Sequence, residues 1–297
     1  MTRHRVEAWA AAVVGGLVRR LPRRAALVWG AFLGRALAVL DRRHVAIAVD
    51  NLRHAFPDWS KAHLEATARG VYAHFGRVLL DILWMQRRPR EELLAPVELV
   101  GREHMDAAMA AGRGVVLCTA HMGNWELHGI VHGWTFGPIG VVARALDNPA
   151  LDERLCAFRK VGGNAVIYKR KALAQAIRTL RDGRGVAIVL DQNVQAQDGI
   201  FVDFFGRPAA TTTVAAALAL KTGCALIPSH SELLPDGRYR AIYDAPVTWT
   251  PSDDRDDDIA GITQELARRT EAWVRAAPEQ WLWIHRRWKT QPAGKGS

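Results

Sequence analysis

Over the first 94 residues apolar side chains recur every three to four positions, as at Val71, Phe75, Val78, Leu79 and Ile82, the spacing that lines one face of an α-helix. This whole region is expected to be helical, interrupted at Pro57-Asp58 and nearly ended by Pro89. Ala8 to Val18 and Ala25 to Leu40 are apolar runs, the second broken by Arg35. Both are shorter than the ~20 residues a spanning helix needs, and Arg19-Arg20-Leu21-Pro22-Arg23-Arg24 between them is too charged for hydrocarbon. No small-residue cleavage site follows where a signal peptide would have one. The pattern predicts two amphipathic helices in or dipping into a membrane interface, arginines on phosphates; the alternative is a helical subdomain packed on the core.

From Val97 the pattern changes to short β-rich runs alternating with helical ones: Val97 to Val100, Val115 to Thr119, Ile139 to Ala143, Ala165 to Tyr168, Val186 to Leu190 and Ala225 to Pro228. Such alternation predicts an α/β fold, a mixed, largely parallel sheet flanked by helices. Leu234-Pro235-Asp236-Gly237-Arg238 is a hairpin signal that makes the late part of the sheet antiparallel. A helix to about Ala276 follows the acidic run Asp253 to Asp258, and a Trp-rich tail ends the chain. The division expected is residues 1–54 as membrane-anchoring helices and 55–297 as one α/β domain.

With 297 residues and 49% apolar content the chain can bury a full core. Its charge is uneven: residues 1–54 carry ten arginines against Glu7, Asp41 and Asp50, so seven of the ten net positive charges lie there. A basic end favours an anionic surface. Trp9, Val13, Leu17, Trp29, Phe32 and Leu37 interleave with the arginines, which suits a bilayer interface better than a nucleic-acid groove. Cys118, Cys156 and Cys224 are scattered among apolar residues, as reduced structural thiols are.

In open α/β sheets function collects at the carboxyl ends of strands. His121 follows one expected strand and opens His121-Met122-Gly123-Asn124-Trp125-Glu126; Arg144, Asp147 and Asn148 follow the next, and Asp191-Gln192-Asn193 a third. A histidine with a carboxylate five residues on is what a hydroxyl-activating base and its orienting partner look like, although that spacing alone is common. Phe201, Phe204, Phe205 and the Gly206-Arg207-Pro208 turn fit either an acyl channel or a packed strand edge, and Trp281, Trp283 and Trp288 either an interface belt or core. His128 and His132, four apart, lack a third ligand of matching spacing; stacked packing, without metal, is the expectation.

His121 to Glu126, Asp191-Gln192 with the run Gly199 to Thr213, Pro278 to Thr290, and Asn51-Leu-Arg-His-Ala-Phe-Pro57 together resemble the lauroyl/myristoyl acyltransferases of lipid A biosynthesis, within the lysophospholipid acyltransferase superfamily. The resemblance implies O-acyl transfer from a fatty acyl thioester to a lipid hydroxyl. It assigns His121 as general base and Glu126 as the group that holds its tautomer. It places substrate-binding roles on Arg144, Asn148, Arg159, Asp191 and Gln192. It implies no cofactor beyond acyl carrier protein or coenzyme A as acyl carrier in the co-substrate, and no metal or nucleic acid. Acyl carrier proteins are acidic, and a basic surface would steer them. The place implied is the cytoplasmic face of a bacterial inner membrane, peripheral or monotopic. Ala143-Arg144-Ala145 departs from the family's Tyr-Arg-Pro and leaves the acceptor lipid open. Two other classes compete: a hydrolase using the same pair, though no G-x-S-x-G elbow is present, and a non-catalytic basic membrane- or nucleic-acid-binding protein.

Overall fold

Five helices open the chain: α1 (Arg3–Val18), α2 (Arg23–Leu40), α3 (Arg42–Ala55), α4 (Lys61–Met85) and α5 (Arg90–Leu94). They are seen in a computed structural model that describes residues 3–168 and 172–292. Sequence chemistry sets several of their ends. Pro22 precedes the first residue of α2, the Asp41 carboxylate accepts from His44 N–H at the start of α3, and the Ser60 hydroxyl accepts from His63 N–H at the start of α4.

Helix α2 turns a stripe of small residues, Ala26, Gly30, Gly34 and Ala38, onto α4. A Cβ at Gly34 would overlap the Tyr72 carbonyl oxygen, and one at Gly76 the Gly30 carbonyl oxygen. The two backbones therefore touch. Beside this notch Arg23 forms a two-point ion pair with the fully buried Asp81, at 2.9 and 2.8 Å, and donates to the Gly237 carbonyl at 2.7 Å. This cluster fastens α2 to both α4 and the sheet. Gly34→Ala is expected to lower stability by ~1–3 kcal/mol, read as a fall in thermal midpoint; an unchanged midpoint would show that the helices can separate without cost.

The sheet is built from β1 (Val97–Val100), β2 (Val115–Thr119), β3 (Ile139–Ala143), β4 (Ala165–Tyr168), β5 (Gly185–Val189), β8 (Ala225–Leu233) and β9 (Tyr239–Tyr243), in the order β1-β9-β8-β2-β5-β3-β4. Five neighbouring pairs are parallel and β8–β9 antiparallel. This is the mixed, largely parallel sheet flanked by helices that the alternation predicts, and the hairpin at 234–238 turns as expected. The helices in the α/β part are α6 (Arg102–Ala110), α7 (Trp125–Phe136), α8 (Pro149–Lys160), α9 (Ala172–Arg181), α10 (Val214–Thr222) and α11 (Arg255–Ala276). Strand β2 is buried at every position, which explains its apolar run from Val115 to Cys118.

A separate two-stranded ribbon, β6 (Ile200–Phe204) and β7 (Arg207–Thr211), packs on α11. Phe205 and Gly206 both take positive φ, 57° and 71°, at its two-residue turn. No described helix is long and apolar enough to cross a membrane.

Candidate active site

Parallel register brings the site together. Thr119 of β2 lies opposite Val189 of β5, and the Leu190 N–H donates to the Thr119 carbonyl, so residues two further along each strand, His121 and Asp191, emerge side by side. The imidazole Nδ1 lies 2.8 Å from Asp191 Oδ1. The second carboxylate oxygen accepts the His121 backbone N–H at 2.8 Å and the Trp281 indole N–H at 2.7 Å. Asp191 is buried, while the His121 side chain keeps 20% exposure. Nε2 has no hydrogen-bond partner among the described residues and is not among their buried unpartnered atoms. With Nδ1–H held by the carboxylate, Nε2 carries the free lone pair.

Every residue after His121 in this turn has a physical task. Met122 is buried and bridges Trp281. Gly123 takes φ 59°, and a Cβ there would overlap the Ser231 carbonyl, so only glycine fits. Asn124 caps α7 by accepting from Leu127 N–H at 3.1 Å, and its own N–H donates to the Ser231 hydroxyl. Trp125 sets its indole edge-on to the imidazole, 5.1 Å between ring centres.

Glu126 does not hold the imidazole. The turn through Gly123 into α7 directs it toward α8, where its carboxylate accepts two hydrogen bonds from Arg159, at 2.8 and 2.6 Å, and one from the Trp125 indole at 3.2 Å. The residue that satisfies Nδ1 is Asp191, expected from the sequence as a substrate-binding residue. Arg159 is largely buried, and although burial opposes its charge, the bonds and charge of Glu126 raise its pKa.

None of the remaining expected residues bonds to this pair among the described residues. Arg144 is 76% exposed and pairs with Asp147. Asn148 is the N-cap of α8, and its amide is taken up by the His4 carbonyl and Glu7 of α1, which makes it a fastener between helices. Gln192 is exposed next to Asp191.

Burial works against the imidazolium of His121, but the charge of Asp191 and their hydrogen bond outweigh it, with a further contribution from Glu126, and the pKa is raised above its ordinary 6.5. Burial likewise opposes the Asp191 carboxylate, yet His121 and Trp281 hold its pKa below 3.8. The signs fix where the pair supports the fold. The His121 contribution is complete below pH 6.5 and is lost as pH rises through its raised native value; that of Asp191 is complete above 3.8 and is lost as pH falls through its depressed one.

The tail that supplies Trp281 is pinned at two points. Buried Asn51 donates to the Trp283 and His285 carbonyls at 2.8 and 2.9 Å, and buried Arg287 donates to the Ala210 carbonyl at 2.6 Å and to the Thr211 hydroxyl. Trp281, Trp283 and Trp288 are core, in contact with Phe204, Phe205 and Phe56. This corrects the interface belt and places Phe204 and Phe205 of the ribbon in packing, while Phe201 is only half-buried. His128 and His132 are buried against Tyr243, their pKa values pushed down by burial to about 4 and about 3. Among the described residues no group of three or more His, Cys, Asp or Glu could hold a metal.

Residues 1–290 match the profile of the bacterial lipid A biosynthesis acyltransferases. The chain belongs to this family. Membership makes it an O-acyltransferase whose acceptor is a lipid. It is 30% identical over 288 residues to the lipid A biosynthesis lauroyltransferase of Escherichia coli K12, covering 96% of this chain and 92% of that one. It is 32% identical over 220 residues to the phosphatidylinositol mannoside acyltransferase of Mycobacterium tuberculosis H37Rv, covering 72% and 67%. The lipid A biosynthesis palmitoleoyltransferase of E. coli K12 is 26% identical over 276 residues, covering 90% and 87%. Within this acyltransferase, sequence reasoning missed the roles of Trp281 and Asn51. Each stands in a motif that carried the resemblance, but their contacts span 90 and 232 residues respectively, and no local spacing encodes them.

Proposed function

We propose that this acyltransferase moves a fatty acyl chain from acyl carrier protein or coenzyme A to a hydroxyl of a membrane glycolipid, a lipid A precursor or a related lipid, with His121 as general base. The observation that carries this reading is the buried Asp191 holding Nδ1 of a partly exposed His121, whose Nε2 has no hydrogen-bond partner among the described residues. Nε2 takes the acceptor hydroxyl proton as its oxygen attacks the thioester carbonyl. The tetrahedral intermediate expels the thiolate, which recovers that proton from the imidazolium. Asp191 fixes the tautomer and stabilises the imidazolium. Arg159, steadied by Glu126, is suited to a lipid phosphate or a developing oxyanion; exposed Arg144 and Gln192 suit the acceptor headgroup.

The helices α1 and α2 support the membrane part of the reading. Beside the stripe packed on α4, α2 exposes Val28, Trp29, Phe32, Leu33, Leu37 and Leu40, and α1 exposes Trp9 and Leu17. An apolar surface this continuous, flanked by arginines, fits the headgroup boundary of a bilayer, and the acyltransferase would sit peripherally on the cytoplasmic face of the inner membrane.

As base, His121 must be neutral. Transfer is therefore expected to fall as pH drops through its raised pKa, giving an acid limb in kcat/KM above pH 6.5; a rate flat down to pH 5 would rule out a titrating base. For the substrates, purified protein would be given labelled acyl-acyl carrier protein or acyl-CoA with lipid A precursors, phosphatidylinositol mannosides and lysophospholipids in detergent. Label entering a glycolipid supports the reading and names the acceptor; label entering only lysophospholipids overturns the glycolipid assignment.

A further inference from the structure

Between α1, the end of α4 and α8 lies an open cavity of about 370 Å³. It shares no lining residue with the His121 site. Its walls carry Arg19, Arg87 and Arg154 and no carboxylate, and its apolar surface comes from Ala12, Phe158 and Val161. The neighbouring Arg88 is committed to Glu92, to the Arg19 carbonyl and to the face of Trp84. Arg19, Arg87 and Arg154 form no ion pair or side-chain hydrogen bond as donors among the described residues. Arg87 holds φ 70°, a left-handed backbone uncommon for a non-glycine residue, at the rim of the cavity.

Three unpaired guanidinium groups around one apolar-floored space call for an anion with several acceptor oxygens and an apolar portion. Phosphate meets the first requirement, because a guanidinium fork binds two of its oxygens at once. The surroundings meet the second. Ala12 of α1 and Arg19, one residue past its end with its N–H still donating to the Gly15 carbonyl, are seven apart and lie on one side of the helix; at 100° per residue the adjoining sector holds Trp9, Val13 and Leu17, all exposed. A phosphate in the cavity would thus lie beside an apolar stripe able to contact acyl chains. We infer that this cavity is a second lipid site that takes the phosphate of a membrane phospholipid, independent of the catalytic pair.

The test is calorimetric titration of the full chain with dihexanoyl phosphatidylglycerol below its micelle concentration, with inorganic phosphate and coenzyme A as separate probes. Wild type is expected to bind the phospholipid saturably. Arg19→Gln/Arg87→Gln/Arg154→Gln should weaken it by at least ~10-fold, and so should Ala12→Trp, which fills the cavity without changing charge. The charge-matched Arg35→Gln/Arg42→Gln/Arg43→Gln and His121→Ala should both bind as wild type does. Absence of saturable binding, an equal loss in the charge-matched variant, or inorganic phosphate binding as tightly as the lipid would each overturn the inference. Tighter binding of coenzyme A would also overturn it, in favour of a site for the acyl carrier. Because His121→Ala retains the site on this account, failure here and failure of the acyl-transfer reading are distinguishable.

Discussion

His121→Ala is expected to reduce acyl transfer by roughly 10²–10⁴-fold, the usual contribution of a positioned proton acceptor, with the protein still folded. The second half follows from geometry. The side chain is partly exposed at a strand end, and alanine keeps the backbone N–H that Asp191 accepts, as well as the Trp281 indole bond. The ion-paired hydrogen bond on Oδ1 is lost, which is worth ~1.5–3 kcal/mol and would appear as a lower thermal midpoint with an unchanged far-ultraviolet dichroism spectrum. A folded variant of full activity would remove His121 from the mechanism.

Asp191→Asn should be comparably damaging, on the order of 10³–10⁴-fold, for a reason specific to this site. Oδ2 receives two N–H groups, from His121 and from Trp281. In asparagine the carbonyl oxygen must take that position, which turns the amide NH2 toward Nδ1. An NH2 group donates, so Nδ1 must become the acceptor and the proton moves to Nε2, where it removes the lone pair that attacks the acceptor hydroxyl. Glu126→Gln acts differently. It weakens the grip on Arg159 and leaves the imidazole tautomer unchanged, so its loss should be smaller and its acid limb should persist. Steady-state kinetics of the two variants across pH decide between them: a severe Glu126→Gln beside a mild Asp191→Asn would return the orienting role to residue 126.

The strands of the main sheet were legible in the sequence because their signal is local, whereas the β6–β7 ribbon was not among the expected strand pairs. Val115 to Cys118 is apolar throughout since both faces of β2 are covered, and the Pro-Asp-Gly turn encodes the β8–β9 hairpin directly. The ends drift where pairing continues past the apolar run: β8 extends through Ser229, His230 and Ser231, polar residues buried against the His121 turn and α11. The site was legible as a set of strand ends but not as a set of pairs. Sequence proximity points from His121 to Glu126; spatial proximity, fixed by β2–β5 register across 70 residues, points to Asp191. Tryptophans near arginines read equally as interface or core, and only the contact of the tail with Asn51 and the ribbon places them inside. In α1 and α2 the reverse holds: glycine and alanine spacing defines the packed stripe, and the large apolar residues left over are the exposed ones.

The central claim is that the imidazole of His121 activates a lipid hydroxyl, not water. The most direct measurement follows one labelled acyl chain from its thioester in the presence of a glycolipid acceptor, with lipid ester and free fatty acid quantified in the same reaction for wild type and His121→Ala. The expected result is label in the lipid ester with wild type alone. Label released chiefly as free acid, and dependent on His121, would contradict the account and identify a hydrolase.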